Sequence, residues 1–174
     1  MRYNVADLLK SPPGRTRTVD VDEPLRLEDS DVELTSPMQG RLTFTRDHAG
    51  ILVQGRLRTT ARLMCVRCLE TVDERVDIEL SDEFLPTVHI PGGPDLVGGP
   101  DREAATEIDE HHVLDVTEVV RQGVLIAMPL HVLCAADCRG LCPQCGANRN
   151  EVDCGCAPPE DPRWGPLREL LAGD

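Results

Sequence analysis

Eight cysteines are the residues most able to do chemistry in this 174-residue chain, because they recur at short and regular spacings. Two thiolates separated by two or three residues can reach one metal ion, and four of them form the tetrahedral sulfur set that zinc prefers. In a reducing compartment such pairs bind metal more often than they form disulfides. The spacing therefore predicts structural zinc, as one or two ions held by cysteine alone.

The strongest local pattern is the segment 142–146, which reads C-P-x-C-G. Its spacing lets both sulfurs approach one ion, and the glycine permits a tight backbone whose N–H groups hydrogen-bond the sulfurs. Cys154 and Cys156 follow after eight residues and complete a four-sulfur set with Cys142 and Cys145. A redox dithiol is the alternative, but the thioredoxin-like βαβ pattern that would favour it does not surround the pair.

The other four cysteines form a C-x2-C pair and a C-x3-C pair; they are Cys65, Cys68, Cys134 and Cys138. A second four-sulfur site would tie the tip of a β-hairpin to the segment after a helix, which would stabilise a small aliphatic core. Spacing leaves the partition open, since Cys138 could join the first set and His131 is a reserve ligand. Buried free thiols are the non-functional alternative.

Both predicted sites are closed, because four cysteines leave no coordination position for water or substrate. The sequence contains no P-loop, no G-x-G-x-x-G and no H-E-x-x-H, and its histidines accompany no nucleophile motif. Iron–sulfur clusters also use cysteine-only shells, but the C-P-x-C-G turn favours zinc. We therefore expect no catalytic residue and no enzyme.

The elements that must position these cysteines indicate an α+β fold: an antiparallel β-sheet domain with one packed helix and a C-terminal cysteine-rich zinc-binding module. Residues 51–63 alternate, with Ile51, Val53 and Leu57 on one face and polar residues on the other. Residues 40–46 and 72–80 alternate likewise, and the turn 47–50 joins the run 40–46 to the run 51–63. Residues 115–128 carry a stripe of valines with Ala127 at helical spacing.

These elements predict an α+β domain over residues 1–133, with a flexible loop at 86–110 where prolines, glycine pairs and acids cluster. A zinc-binding module over 134–156 follows it. The tail over 157–174 is expected to contain a short helix at 164–171.

The charge balance is acidic, since 31 acidic and 18 basic residues give a formal net charge of −13. Such a surface repels phosphate backbones and favours a basic protein partner. Three arginines on one strand face, Arg56, Arg58 and Arg62, could contact phosphate, but pairing with acids of the next strand is the favoured interpretation. The segment 2–17 is locally basic and is a candidate docking surface.

The hydropathy pattern contains no apolar run long enough to span a bilayer. The first residues also lack the apolar stretch of a secretory signal. We therefore expect a cytoplasmic protein with no membrane partner.

Three segments together resemble the YceD family, the large ribosomal RNA subunit accumulation proteins. Residues 65–70 (CVRCLE) resemble the family's C-x-R-C-L segment. Residues 129–150 resemble its C-terminal pattern, in which a Pro-Leu segment precedes C-x3-C, G-L-C-P-x-C-G and an asparagine-containing stretch. An N-terminal Val-x-x-Leu-Leu and a Pro-Gly segment also fit, so the resemblance covers nearly the whole chain.

The resemblance implies a non-catalytic factor that supports large-subunit ribosomal RNA accumulation and ribosome assembly in the cytoplasm of a bacterium. The expected partner is a precursor of the large ribosomal subunit or a basic ribosomal protein, and direct RNA binding is left open. Two alternatives remain: a zinc-ribbon adaptor in another protein complex, and a thiol redox protein.

Overall fold

A computed structural model of the chain describes residues 1–27, 32–88, 106–157 and 162–165. The chain divides into two compact units. The first unit comprises Met1–Leu63 and Asp73–Leu130, and the second comprises Met64–Val72 and His131–Asp174. The boundaries expected after residues 133 and 156 stay predictions.

Eight strands among the described residues form one curled sheet, in the order β1-β8-β7-β6-β5-β4-β2, and β3 pairs with β5 outside this path. β4 pairs antiparallel with β5, and β5 lies between β4 and β6 in the sheet. The strands are β1 (Arg2–Asn4), β2 (Thr16–Glu23), β3 (Glu33–Leu34), β4 (Met38–Arg46), β5 (Ile51–Met64), β6 (Thr71–Pro86), β7 (Glu107–Ile108) and β8 (Val113–Asp115).

The core of the first unit confirms the alternation predicted from the sequence. In β5, Ile51, Val53, Leu57 and Ala61 are buried, while the residues between them are exposed or half-buried, apart from the buried Thr59. The turn at 47–50 is also confirmed, because the Asp47 amide donates to the Gly50 carbonyl oxygen at 3.0 Å. Aliphatic side chains dominate this core, as expected for a chain with 2% aromatic residues.

Two glycines allow β4 and β5 to approach closely in the curled sheet. A β-carbon at Gly55 would lie 2.1 Å from the Arg41 carbonyl oxygen, and one at Gly40 would lie 2.1 Å from that of Arg56. No side chain fits at either position, so glycine there permits the local bend.

The sheet is mixed, so the prediction of a purely antiparallel sheet is wrong. β7 runs parallel to β6, with Leu85 opposite Glu107 and Pro86 opposite Ile108. Residues 87–106 separate the two strands, and a connection of that length lets the chain return in the same direction, which a tight hairpin forbids.

Two α-helices are present in the described part of the chain: α2 (Thr117–Ala127) is the packed helix expected at 115–128, and α1 (Ala6–Leu9) is additional. The valine stripe of α2 is confirmed at Val116, Val120 and Val124, which are buried, but Ala127 is exposed. Ala127 is the last residue of the helix.

Two predicted segments lie partly outside the described residues. Of the loop predicted at 86–110, residues 89–105 are outside, and its later part contains β7. Of the helix predicted at 164–171, residues 166–171 are outside, and a short 3-10 helix occupies Pro162–Trp164.

Candidate metal centres

The structure gathers the eight cysteines into two groups of four, and both lie in the second unit. Site A contains Cys65, Cys68, Cys134 and Cys138; site B contains Cys142, Cys145, Cys154 and Cys156. Within each site the four sulfur atoms lie within 4.8 Å of one another. The alternative in which Cys138 joins the knuckle set is therefore not the arrangement observed, and His131 belongs to neither group of the described residues.

Site A is assembled from the turn between β5 and β6 and from the segment after α2. The Cys65 amide donates to the Glu70 carbonyl oxygen at 2.8 Å, which closes the turn that carries Cys65 and Cys68. The Val66 amide donates to the Val132 carbonyl oxygen at 3.0 Å, which brings the later segment alongside. Three of the four sulfurs are on buried residues, and Cys134 is exposed.

Site B is built within a single short stretch of chain. The Cys142 amide donates to the Ala147 carbonyl oxygen at 2.8 Å, and the Gly146 amide donates to the Cys142 carbonyl oxygen at 2.9 Å. Gly146 has a φ of 74°, the left-handed conformation that glycine adopts without strain. Cys142 is buried, Cys154 is half-buried, and Cys145 and Cys156 are exposed, so site B is the more open of the two.

Two sulfur–sulfur distances in site A are close to those expected around a tetrahedral metal ion. In site A, Cys65 Sγ lies 3.8 Å from Cys138 Sγ, and Cys68 Sγ lies 3.4 Å from Cys134 Sγ. Four sulfurs around zinc at about 2.3 Å are spaced about 3.8 Å apart in a regular tetrahedron. These distances are well beyond a disulfide bond of about 2.05 Å. The thiol-only donor set suits zinc and leaves no open position for a substrate.

The sulfurs of each site differ in their readiness to ionise. The backbone N–H of Cys68 lowers the pKa of Cys65 to about 6, and that of Cys145 lowers the pKa of Cys142 to about 6. The neighbouring thiol of Cys68 raises the pKa of Cys134 to about 12. The neighbouring thiol of Cys145 likewise raises the pKa of Cys156 to about 12. Each group thus offers a ready thiolate beside a thiol that holds its proton, and metal binding would displace that proton.

One polar neighbour of site A was not identified from the sequence as part of a site. Asn150 Nδ2 donates to Cys138 Sγ at 3.3 Å, and this contact lowers the pKa of Cys138. Asn150 lies in the interval between the two cysteine pairs of site B. Its position inside a metal-binding loop was the available signal.

The arginine stripe on β5 is largely paired with acids, as the favoured interpretation expected. Arg56 lies 3.2 Å from Glu79, and Arg62 lies 3.0 Å from Asp73. No acid ion-paired to Arg58 is found among the described residues.

The basic segment 2–17 is partly committed to the fold. Arg2 pairs with Asp115 at 3.4 Å, and Arg17 donates to the Asn4 carbonyl oxygen at 2.9 Å. Lys10 and Arg15 are exposed to solvent.

None of the helices in the described part of the chain has both the length and the apolar character needed to cross a bilayer.

Comparisons with known proteins relate the chain to named relatives. An uncharacterized protein of Mycobacterium tuberculosis is 30% identical over 122 residues, which are 70% of this chain and 56% of that protein. A protein of Arabidopsis thaliana, named large ribosomal RNA subunit accumulation protein YCED homolog 1, chloroplastic, is 27% identical over 158 residues, 78% of this chain and 49% of its own length. A protein of Zea mays with the same name is 24% identical and covers 98% of this chain and 66% of its own length.

The chain thus spans about half to two thirds of the length of these curated relatives. No solved structure matches it significantly. The profile of one family, described as large ribosomal RNA subunit accumulation protein YceD, matches residues 53–171. This match includes all eight cysteines and more than half of the chain, and this protein therefore belongs to the YceD family.

Proposed function

We propose that this protein is a non-catalytic factor that supports accumulation of large-subunit ribosomal RNA and assembly of the large ribosomal subunit, with structural zinc in sites A and B. The observation that carries the proposal is membership of a family described as large ribosomal RNA subunit accumulation protein. Two relatives named as large ribosomal RNA subunit accumulation proteins support it.

The non-catalytic part of the proposal rests on the chemistry of the two sites. Zinc held by four thiolates has a full coordination shell, so it orders the chain and activates no water. The residues that would hold it are the four cysteines of each site, and the ion would supply folding free energy to a unit with little apolar core of its own. The small buried apolar cluster around Cys65, Cys68 and Cys138 is consistent with that need.

The proposed partner is a precursor of the large ribosomal subunit or one of its basic proteins, in the cytoplasm. A net charge of −13 favours basic protein surfaces over bare phosphate backbones. Lys10 and Arg15, which are exposed, are the proposed docking residues of the basic segment. The aliphatic neighbours Val5, Leu8 and Leu9 are buried, so deleting residues 2–17 would damage the fold, and charge substitution is the appropriate probe.

The deciding experiment depletes the protein in its own bacterium. It then measures the ratio of large- to small-subunit ribosomal RNA and the gradient profiles of ribosomal particles. We expect a selective fall in large-subunit RNA and cosedimentation of the protein with precursor particles. An unchanged ratio without ribosomal association would instead favour an adaptor in another complex. A thiol redox protein would show a reversible disulfide and keep its structure under chelation.

A further inference from the structure

Asn150 makes contacts that orient its side-chain amide. Its Oδ1 accepts a hydrogen bond from the Arg139 backbone N–H at 2.7 Å. Because that partner can only donate, Nδ2 must point the other way, and it lies 3.3 Å from Cys138 Sγ and 2.9 Å from Asn148 Oδ1. The orientation of the amide is therefore fixed by its neighbours, and a donor faces a sulfur of site A.

The segment that carries Asn150 belongs to site B. Residues 146–153 connect Cys145 to Cys154, and a backbone bridge pairs Leu141 with Asn148. The Arg149 amide donates to the Gly140 carbonyl oxygen at 2.9 Å. A metal ion held by both cysteine pairs of site B would fasten the two ends of this loop, since it joins residues on either side of it.

Residues 140–141, which contact the loop of site B, also contact the turn of site A. The Leu141 amide donates to the Arg67 carbonyl oxygen at 3.0 Å, and Arg67 donates through its guanidinium to the Cys138 carbonyl oxygen at 2.8 Å. Arg67 lies between Cys65 and Cys68. A continuous run of hydrogen bonds therefore joins the loop of site B to the turn of site A. The last of them is the bond from Asn150 to the sulfur of Cys138.

A donor at that sulfur has a clear chemical role. Four thiolates around a divalent ion leave two excess negative charges, and N–H groups that bond to the sulfurs spread this charge. Most donors of this kind in site A are backbone amides of its own turns, whereas Asn150 is a side chain from the loop of the other site.

We propose that Asn150 is a positioning residue that couples the two metal sites, so that metal at site B holds the amide against Cys138 and each metal strengthens the binding of the other. This inference rests on the proposed structural zinc. Because coupling between binding sites is reciprocal, it is measurable at whichever site releases its metal first. Site B is that site, given its exposed cysteines.

The test measures the affinity of site B for zinc by chelator competition in four full-length chains: the natural one, Asn150→Asp, Cys134→Ser and the double variant. Asn150→Asp keeps the Oδ1 acceptor and the size of the side chain but removes the donor. Cys134→Ser removes site A. We expect each single variant to lower the zinc affinity of site B by a similar factor, about 5- to 150-fold as is usual for coupled sites. The double variant should bind zinc at site B no more weakly than either single variant.

Cadmium-113 NMR supplies a second readout on the fully loaded protein. Asn150→Asp should shift the site A resonance, because a bond to one of its sulfurs changes, while the site B resonance stays in place. Cys154→Ser, which disables site B, should shift the site A resonance in the same direction. Arg149→Gln, an exposed neighbour in the same loop, is the matched control and should change neither affinity nor spectrum.

The outcomes separate this inference from the function on which it rests. If the natural chain binds no zinc, the structural-zinc proposal fails and the coupling fails with it. If it binds two ions but site B is equally tight in Cys134→Ser, the coupling alone is overturned. If Asn150→Asp weakens zinc binding at site B equally in the natural chain and in Cys134→Ser, Asn150 supports only its own loop. That result also overturns the coupling.

Discussion

Gly140 lies so close to Arg67 that a β-carbon on the glycine would come within 2.9 Å of the arginine's carbonyl oxygen. Gly140 also has a φ of 70°, which disfavours any residue with a side chain. Gly140→Ala should therefore destabilise the second unit by more than the roughly 1–2 kcal/mol of the backbone conformation alone, and should lower its zinc content. Thermal melting and zinc per chain after gel filtration would measure both.

Gly146→Ala is the matched control for that change. Gly146 has a similar φ of 74°, but a β-carbon there would meet nothing within 4 Å. Only the conformational cost of about 1–2 kcal/mol should appear. Equal losses in the two variants would show that the contact with Arg67 contributes nothing.

Metal release should occur in two phases when a chelator is added to the zinc-loaded protein. Cys145 and Cys156 of site B are exposed, whereas three cysteines of site A are buried. We expect one ion to leave quickly and the second slowly, with release followed by a chromogenic chelator. Cys156→Ser should abolish the fast phase and leave the slow one; a single phase for both ions in the natural protein would contradict this assignment.

Two glycine substitutions in the first unit should change the free energy of unfolding in opposite directions. Gly55→Ala places a β-carbon 2.1 Å from the Arg41 carbonyl oxygen, and we expect a loss of about 1–3 kcal/mol or more in the free energy of unfolding. Gly123→Ala lies in α2, where the nearest atom would be at 3.5 Å, so it should gain about 0.5–1 kcal/mol. Denaturant unfolding of both variants checks the pair.

Docking through the basic segment predicts a charge-specific effect on particle association. Lys10→Glu with Arg15→Glu should reduce cosedimentation with large-subunit precursors while leaving the melting temperature nearly unchanged, since both side chains are exposed. Arg56→Glu with Arg58→Glu on the sheet face changes the charge equally and serves as control. If only this control pair reduced association, the docking surface would lie on the sheet.

The parts of the fold that the sequence predicts are those in which a local pattern determines the structure. Strict alternation in 51–63 indicates a half-buried strand, and Ile51, Val53 and Leu57 are buried as expected. The cysteine spacings likewise predict that the thiols lie together in pairs, because two cysteines separated by one to three residues can reach the same ion, but they leave open which pairs share a group. Both signals are short in range and need no knowledge of the rest of the chain.

The parts that could not be predicted depend on contacts between distant segments. β7 has two residues, too few for any periodicity, and its parallel pairing with β6 is set by where the chain returns. The close approach at Gly40 and Gly55 also depends on how the sheet bends. The role of Asn150 required the distance to Cys138, twelve positions earlier in the chain.

The separation of the site A cysteines along the chain has a consequence for the order of events during synthesis. Cys68 and Cys134 are 66 positions apart. At about 5–20 residues per second, the first pair of thiols therefore waits about 3–13 s for its partners to be translated. Every described strand of the sheet has been synthesised by then. The nascent chain can therefore begin to form the sheet before site A has the four cysteines that it needs to hold an ion.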